Sequence, residues 1–154
     1  MKKTVKILTA LLLILSLLLL SACTAQSTDA DNGNSEGADT VTLVIEGEVL
    51  TEYTVDVSKI NLSGGVMALI NYLEGADALD YEMDGTMINS IGELTNGEGG
   101  KYIYLFTSVE SDFDVSIYSK TAEYRGMTLT SARVGASDMT LVAGAVIYAT
   151  LVSF

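Results

Sequence analysis

The chain has 154 residues, twenty acidic against eight basic, with no histidine, no proline, no tryptophan and a single cysteine, Cys23. A net charge of −12 repels nucleic acid and anionic lipid headgroups as direct partners. The lack of histidine removes the commonest general base, the Ser-His and Cys-His nucleophile pairs and ordinary zinc sites, and a lone cysteine forms no internal disulfide.

The chain opens with Lys2, Lys3 and Lys6, then an apolar stretch from Ile7 to Leu20 interrupted only by Thr9 and Ser16. That stretch is shorter than the ~20 residues needed to cross a bilayer. The small residues Ser21 and Ala22 follow it, and no basic stop-transfer cluster comes after. The pattern predicts a signal peptide over residues 1–22. Leu20-Ser21-Ala22-Cys23 resembles a bacterial lipobox, which implies that Cys23 carries a diacylglyceryl group and becomes the mature N-terminus. Each buried methylene contributes about 0.8 kcal/mol, so two acyl chains hold where one would not. The expected location is extracytoplasmic, anchored to a bacterial membrane by N-terminal lipid. The leader takes three of the basic residues and none of the acidic ones, so the mature chain is more acidic still.

Residues 23–40 comprise Cys23 and a polar, acidic stretch with no large apolar side chain. It cannot offset the entropy of ordering, and it is expected to act as a flexible tether. One domain follows, over residues 41–154. Val41–Glu46 is a β-branched run, and Tyr53, Val55 and Val57 alternate with polar residues, so two strands joined as a hairpin are predicted. One helix comes next: Val66, Leu69, Ile70 and Leu73 recur at helical spacing, Ser63 is the expected N-cap, and Gly75 the stop.

Beyond the helix the period returns to two. Leu79, Tyr81 and Met83 alternate with Asp80, Glu82 and Asp84. Met87–Ile91 is a further strand candidate, and 95–100 is a loop by composition. Tyr102–Phe106 is wholly apolar or aromatic and is expected to lie centrally. Phe113, Val115 and Ile117 alternate with Asp114, Ser116 and Tyr118 as another predicted strand. Met127–Thr130 is short, and Val146–Val152 is a final buried strand. The expected fold is α+β, one short helix packed on a mixed or antiparallel sheet.

Little catalytic chemistry is left to find. Ser116 and Ser119 near Lys120 lack the helical Ser-x-x-Lys spacing. Asp80-x-Glu82-x-Asp84-Gly85 copies the start of a calcium loop, but Ile91 stands where the bidentate acid belongs, so a solvated strand face is expected there. No glycine-rich phosphate loop follows a strand. The chain is therefore expected not to be an enzyme and to carry no metal. The remaining candidates are aromatic. Tyr102, Tyr104, Phe106, Tyr118 and Tyr124 fall in the second half, and tyrosine couples apolar contact to a polar tip. Tyr and Phe are also ordinary strand residues.

The segments Gly64–Glu74, Met87–Ile91, Lys101–Thr107 and, above all, Val134–Tyr148 follow a familiar order. Over about residues 41–154 the chain resembles the transcobalamin-like C-terminal domain family, a bacterial domain family often found in lipoproteins. The resemblance implies an α+β fold, and the same domain elsewhere serves as a generic surface module. Its animal relatives contact cobalamin with this domain, so a corrinoid is the implied ligand, with contacts falling on Tyr102, Tyr104 and Phe106. Ile103 stands where the family usually has tryptophan. The expected function is a lipid-anchored binding module for a corrinoid or other small molecule. The alternative is a surface adhesion or assembly module that recognises protein or glycan.

Overall fold

A computed structural model describes residues 39–153. The predicted signal peptide, Cys23 and the tether up to Ala38 lie outside the described residues. The strands are β1 (Thr40–Glu46), β2 (Leu50–Asp56), β3 (Tyr81–Asp84), β4 (Met87–Ile91), β5 (Leu94–Thr95), β6 (Lys101–Thr107), β7 (Thr121–Tyr124), β8 (Met127–Ser131) and β9 (Val146–Ser153). The α-helix, α1, is Gly65–Gly75. The fold is a small α+β domain made mostly of sheet.

A six-stranded sheet runs β2-β1-β9-β6-β8-β7, and a smaller sheet runs β3-β4-β5. The large sheet is mixed: β1 and β9 are parallel, and the other pairs are antiparallel. The two strands that read most clearly as buried, β1 and β9, are neighbours inside it, and β9 and β6 form its centre. Alternation then divides their side chains between two faces.

On the first face Val41, Leu43 and Ile45 of β1 meet Ile147 and Ala149 of β9. Helix α1 covers them with Val66, Leu69, Ile70 and Leu73, all buried, which is the stripe its spacing predicts. Leu79, Ile88, Ile91 and Leu94 of the small sheet and its approach complete this core, along with Met139 and Leu141 from the connection before β9.

The helix start differs from expectation. Ser63 sits inside a single 3-10 turn, Leu62–Gly64, whose cap is Asn61: its side-chain oxygen accepts from the Ser63 N–H at 3.2 Å and the Ser63 hydroxyl at 2.7 Å. The Met139 carbonyl instead accepts from the Val66 N–H at 3.2 Å. Gly65 lies at φ 62°, with that carbonyl against the place a Cβ would occupy, so only glycine fits. A partner distant in sequence has replaced the local cap.

The second face carries Val44, Phe106, Val146 and Tyr148, and the β7–β8 hairpin covers it with Ala122, Tyr124 and Leu129. β8 pairs with β6 only at Phe106–Ser131 and Thr107–Thr130. The hairpin then leaves the sheet plane and crosses β9 and β1. Three strand spacings at ~4.8 Å separate β6 from β2, about 14 Å, and the five-residue step from Ser131 to Gly126 spans about 16 Å at ~3.3 Å per residue. The tip therefore reaches β2, where Arg125 forms an ion pair with Glu52 at 2.8 Å.

The predicted strand over Phe113–Tyr118 does not form. Phe113 makes one isolated bridge to Ala132. The Asp114 carboxylate then accepts from the Ser116 N–H at 2.9 Å and from its hydroxyl at 3.0 Å, and the Ser116 hydroxyl accepts from the Tyr118 N–H at 3.2 Å. These local bonds compete with sheet pairing and win. They leave Val115, Ile117 and Tyr118 exposed by 92%, 90% and 76%.

Candidate functional site

The expected aromatic site divides between core and surface. Phe106 is fully inside, under the β7–β8 hairpin, with its ring 6.3 Å from that of Tyr148 in an edge-on arrangement. Tyr124 is buried beside it, 6.2 Å from the Tyr148 ring. Tyr104 is half-buried, 5.8 Å from Phe106. Tyr102 is nearly half exposed, and Tyr118 projects from the turn described above. Phe106 and Tyr124 thus serve packing, while Tyr102, Tyr104 and Tyr118 keep accessible surface. Burial pushes the Tyr148 hydroxyl well above the usual phenol range, and the Glu46 carboxylate beside it adds to the shift. Burial and then Glu52 raise Tyr124 in the same way.

Asp80, Glu82 and Asp84 are exposed along and beside β3, as the alternation predicts. Among the described residues no group of His, Cys, Asp and Glu is arranged to hold a metal ion, and no helix is long and apolar enough to cross a membrane. A wide acidic hollow of about 680 Å³ lies between Glu46, Glu48, Glu93 and Glu98. Its lining is divided evenly between polar and apolar surface, and Glu93 is already engaged, accepting from the Val49 N–H at 3.1 Å.

A smaller, more apolar cleft has better-defined walls. It has a volume of about 350 Å³ and lies between three segments: Thr86–Ile88 at the turn of the β3–β4 hairpin, Ile103–Leu105 of β6, and the chain from Ala132 to Ala136 after β8. Asn96 bonds to two of these segments. The Asn96 amide donates to the Ile88 carbonyl at 2.5 Å, and its oxygen accepts from the Ile103 N–H at 2.7 Å. One side chain thus joins the small sheet to the large one.

The opposite wall is held by backbone bonds. The Ala132 N–H donates to the Leu105 carbonyl at 2.8 Å, and the Arg133 N–H to the Asp112 carbonyl at 2.9 Å. Asp112, only 4% exposed, secures the same region through its side chain, accepting from the Thr140 N–H at 2.5 Å and the Thr140 hydroxyl at 3.0 Å.

The outer edge of β6 is incompletely paired at the cleft. Tyr102, Tyr104 and Phe106 direct their backbone groups to β9, and the odd residues direct theirs away from it. The Lys101 carbonyl accepts from the Gly97 N–H at 2.7 Å, the Ile103 N–H is taken by Asn96, and the Leu105 carbonyl by Ala132. Among the described residues neither the Ile103 carbonyl nor the Leu105 N–H takes a partner.

Tyr104 is the expected binding residue that lines this cleft. Met87, Val134, Gly135 and Asn96 were not singled out from the sequence. Polar composition marks 95–100 as a loop, but nothing in it shows that Asn96 joins two sheets. No protein-family model matches the chain, and no curated protein matches it.

Proposed function

We propose that this protein is a lipid-anchored extracytoplasmic binding module. In this account Cys23 carries the lipid, the acidic segment sets the domain off a bacterial membrane, and the cleft beside β6 takes the ligand. The observation that carries the proposal is the cleft itself, an open apolar groove at the low end of the size range of small-molecule sites with unpaired backbone groups in its wall. The resemblance to the transcobalamin-like C-terminal domain family suggests a corrinoid or another amphipathic small molecule. Tyr104 and the adjoining apolar residues supply the contact surface.

Two measurements test the proposal. Calorimetric or absorbance titration of the purified chain with cobalamin and cobinamide is expected to show saturable binding, weakened by Tyr104→Ala. Absence of binding at millimolar corrinoid removes that ligand class. Metabolic labelling with a radioactive fatty acid is expected to mark the wild-type chain and not Cys23→Ser; equal labelling of both removes the anchor.

A second function, recognition of a surface protein or glycan, is supported by the exposed Val115, Ile117 and Tyr118. Replacing all three with serine is expected to abolish retention of a surface partner while leaving corrinoid titrations unchanged. Unchanged retention would assign that turn no recognition role.

A further inference from the structure

Strand β2 closes one end of the large sheet, and no strand pairs with its outer edge among the described residues. Which of its backbone groups face outward follows from β1. The Thr42 N–H donates to the Ala145 carbonyl at 2.9 Å and the Gly144 N–H to the Thr40 carbonyl at 2.7 Å, so the even residues of β1 point toward β9. The odd ones point to β2, where they meet Thr51, Tyr53 and Val55, and the Val57 N–H donating to the Asp39 carbonyl at 2.9 Å continues that ladder. The N–H and C=O of Glu52 and of Thr54 therefore project from the edge, and among the described residues they take no partner.

Such an edge is a template for another strand, and natural proteins blunt it with lysine, proline, a bulge or a very short strand. β2 has none of these: it reads Leu50-Thr51-Glu52-Tyr53-Thr54-Val55-Asp56, and its 7 residues pair with β1 without a break in register. Both carboxylates on it are already engaged, Glu52 with Arg125 at 2.8 Å and Asp56 with the Ser58 N–H at 2.8 Å. Val49 and Leu50, where the strand begins, are exposed by 67% and 46%. The strand at the other end of the sheet, β7, offers only 4 residues.

The sequence of β2 selects its own partner. A second copy laid antiparallel along the edge can be centred on Glu52, Tyr53 or Thr54 with outward groups meeting outward groups. Centring on Glu52 sets two carboxylates face to face, and centring on Thr54 sets Glu52 against Asp56; like charges directly opposite are destabilising. Centring on Tyr53 pairs the whole strand. Glu52 then faces Thr54 of the second copy, Asp56 faces Leu50, the two Tyr53 side chains meet, and the exposed Val49 comes to Val57.

We infer that β2 is a self-association edge: two copies of this chain join antiparallel about Tyr53 into one continuous sheet, with about four backbone hydrogen bonds between Glu52 and Thr54 at the centre. The inference is independent of the cleft and of the lipid.

The test uses the full chain with Cys23→Ser, so that an introduced cysteine is the sole thiol. In this register the two Tyr53 Cα atoms lie about 4.5 Å apart, within disulfide reach. Tyr53→Cys is therefore expected to give a covalent dimer on mild oxidation. The two Leu50 residues lie about 20 Å apart along the strands, so Leu50→Cys alone is expected to give none, nor Asp56→Cys alone, whereas a mixture of those two chains is expected to cross-link. Without any added cysteine, hydrogen exchange at the Glu52 and Thr54 amides is expected to be fast in dilute chain and to slow as concentration rises. Thr54→Pro removes an N–H that faces away from β1, and by symmetry two bonds of the pair. It is expected to raise the dissociation constant about thirtyfold in sedimentation equilibrium.

Cross-linking of Leu50→Cys on its own would overturn the inference, as would absence of a Tyr53→Cys dimer, exchange at Glu52 and Thr54 that ignores concentration, or a folded Thr54→Pro chain that dimerises like wild type. The cysteine and exchange readouts decide the matter even if the proline variant does not fold.

Discussion

Asp112→Ala is expected to be among the most damaging polar substitutions in the domain. Its carboxylate accepts two hydrogen bonds from Thr140, at 2.5 and 3.0 Å, and a longer one of 3.3 Å from the Ser111 hydroxyl. Hydrogen bonds to a charged group contribute about 1.5–3 kcal/mol each. The Thr140 side is exposed and can recover water, which places the loss for the two short bonds near the lower end, about 3 kcal/mol.

Asp112→Asn keeps one acceptor oxygen for the Thr140 N–H and is expected to cost about 1–1.5 kcal/mol. With an m-value of about 1.5 kcal/mol/M, urea midpoints fall by about 2 M for alanine and about 1 M or less for asparagine. Equilibrium urea unfolding followed by circular dichroism measures both. The backbone of Asp112 also holds Arg133, in the wall of the cleft, so hydrogen exchange at Arg133 and Thr140 is expected to accelerate in the alanine variant before global unfolding. A midpoint for Asp112→Ala within about 0.3 M of wild type would refute the account, as it implies a loss well under 1 kcal/mol.

Three further outcomes are expected. Asn96→Ala strands the Ile88 carbonyl and the Ile103 N–H and is expected to cost about 2–3 kcal/mol in urea unfolding, with Asn96→Asp, which keeps only the acceptor, also destabilised. Tyr148 and Tyr124 have raised folded-state values, so each contributes stability that is complete below the ordinary phenol value of 10.0 and is lost as pH rises through the folded value. Stability is thus expected to fall above pH 10, and Tyr148→Phe to remove a late component from the 295 nm titration; an unchanged titration curve counts against the buried hydroxyl. Arg125 sits at φ 49° in the tip of the hairpin, and its ion pair with Glu52 is largely exposed. Arg125→Gly relieves the left-handed backbone by about 1 kcal/mol and loses an ion pair of similar or smaller worth, so its melting temperature is expected to stay close to wild type, with Arg125→Ala lower.

Much of the fold follows from pattern. The Val41–Glu46 and Val146–Val152 runs pair with each other inside the large sheet, because strands apolar on both faces are stable only where both faces are covered. The 66–69–70–73 stripe is the buried face of α1. Local chemistry misled in two places. Ser63 has the right identity for a cap, but Met139 supplies the partner from a remote connection. Phe113–Tyr118 alternates like a strand, yet Asp114 and Ser116 close turns on their own backbone first.

The aromatic candidates show the limit most clearly. Tyr102, Tyr104, Phe106, Tyr118 and Tyr124 share a composition that marks them equally in the sequence. The β7–β8 hairpin decides their fates by folding over the second sheet face, enclosing Phe106 and Tyr124 and leaving Tyr104 at a cleft edge. No residue pattern shows where a hairpin that keeps two pairs with β6 will then cross the sheet.

By itself the sequence determined the class: an acidic α+β domain with one amphipathic helix, a central aromatic strand, and no histidine for base or metal chemistry. These properties depend on residue identity and on periods of two and 3.6, which are local. Only the tertiary structure decided which aromatic residues face solvent, that Asn96 joins two sheets, and that Ile103 and Leu105 meet an open cleft with backbone groups unpaired. Each of those depends on segments far apart in the chain meeting in space, and a pairing of that kind leaves no mark on either segment alone.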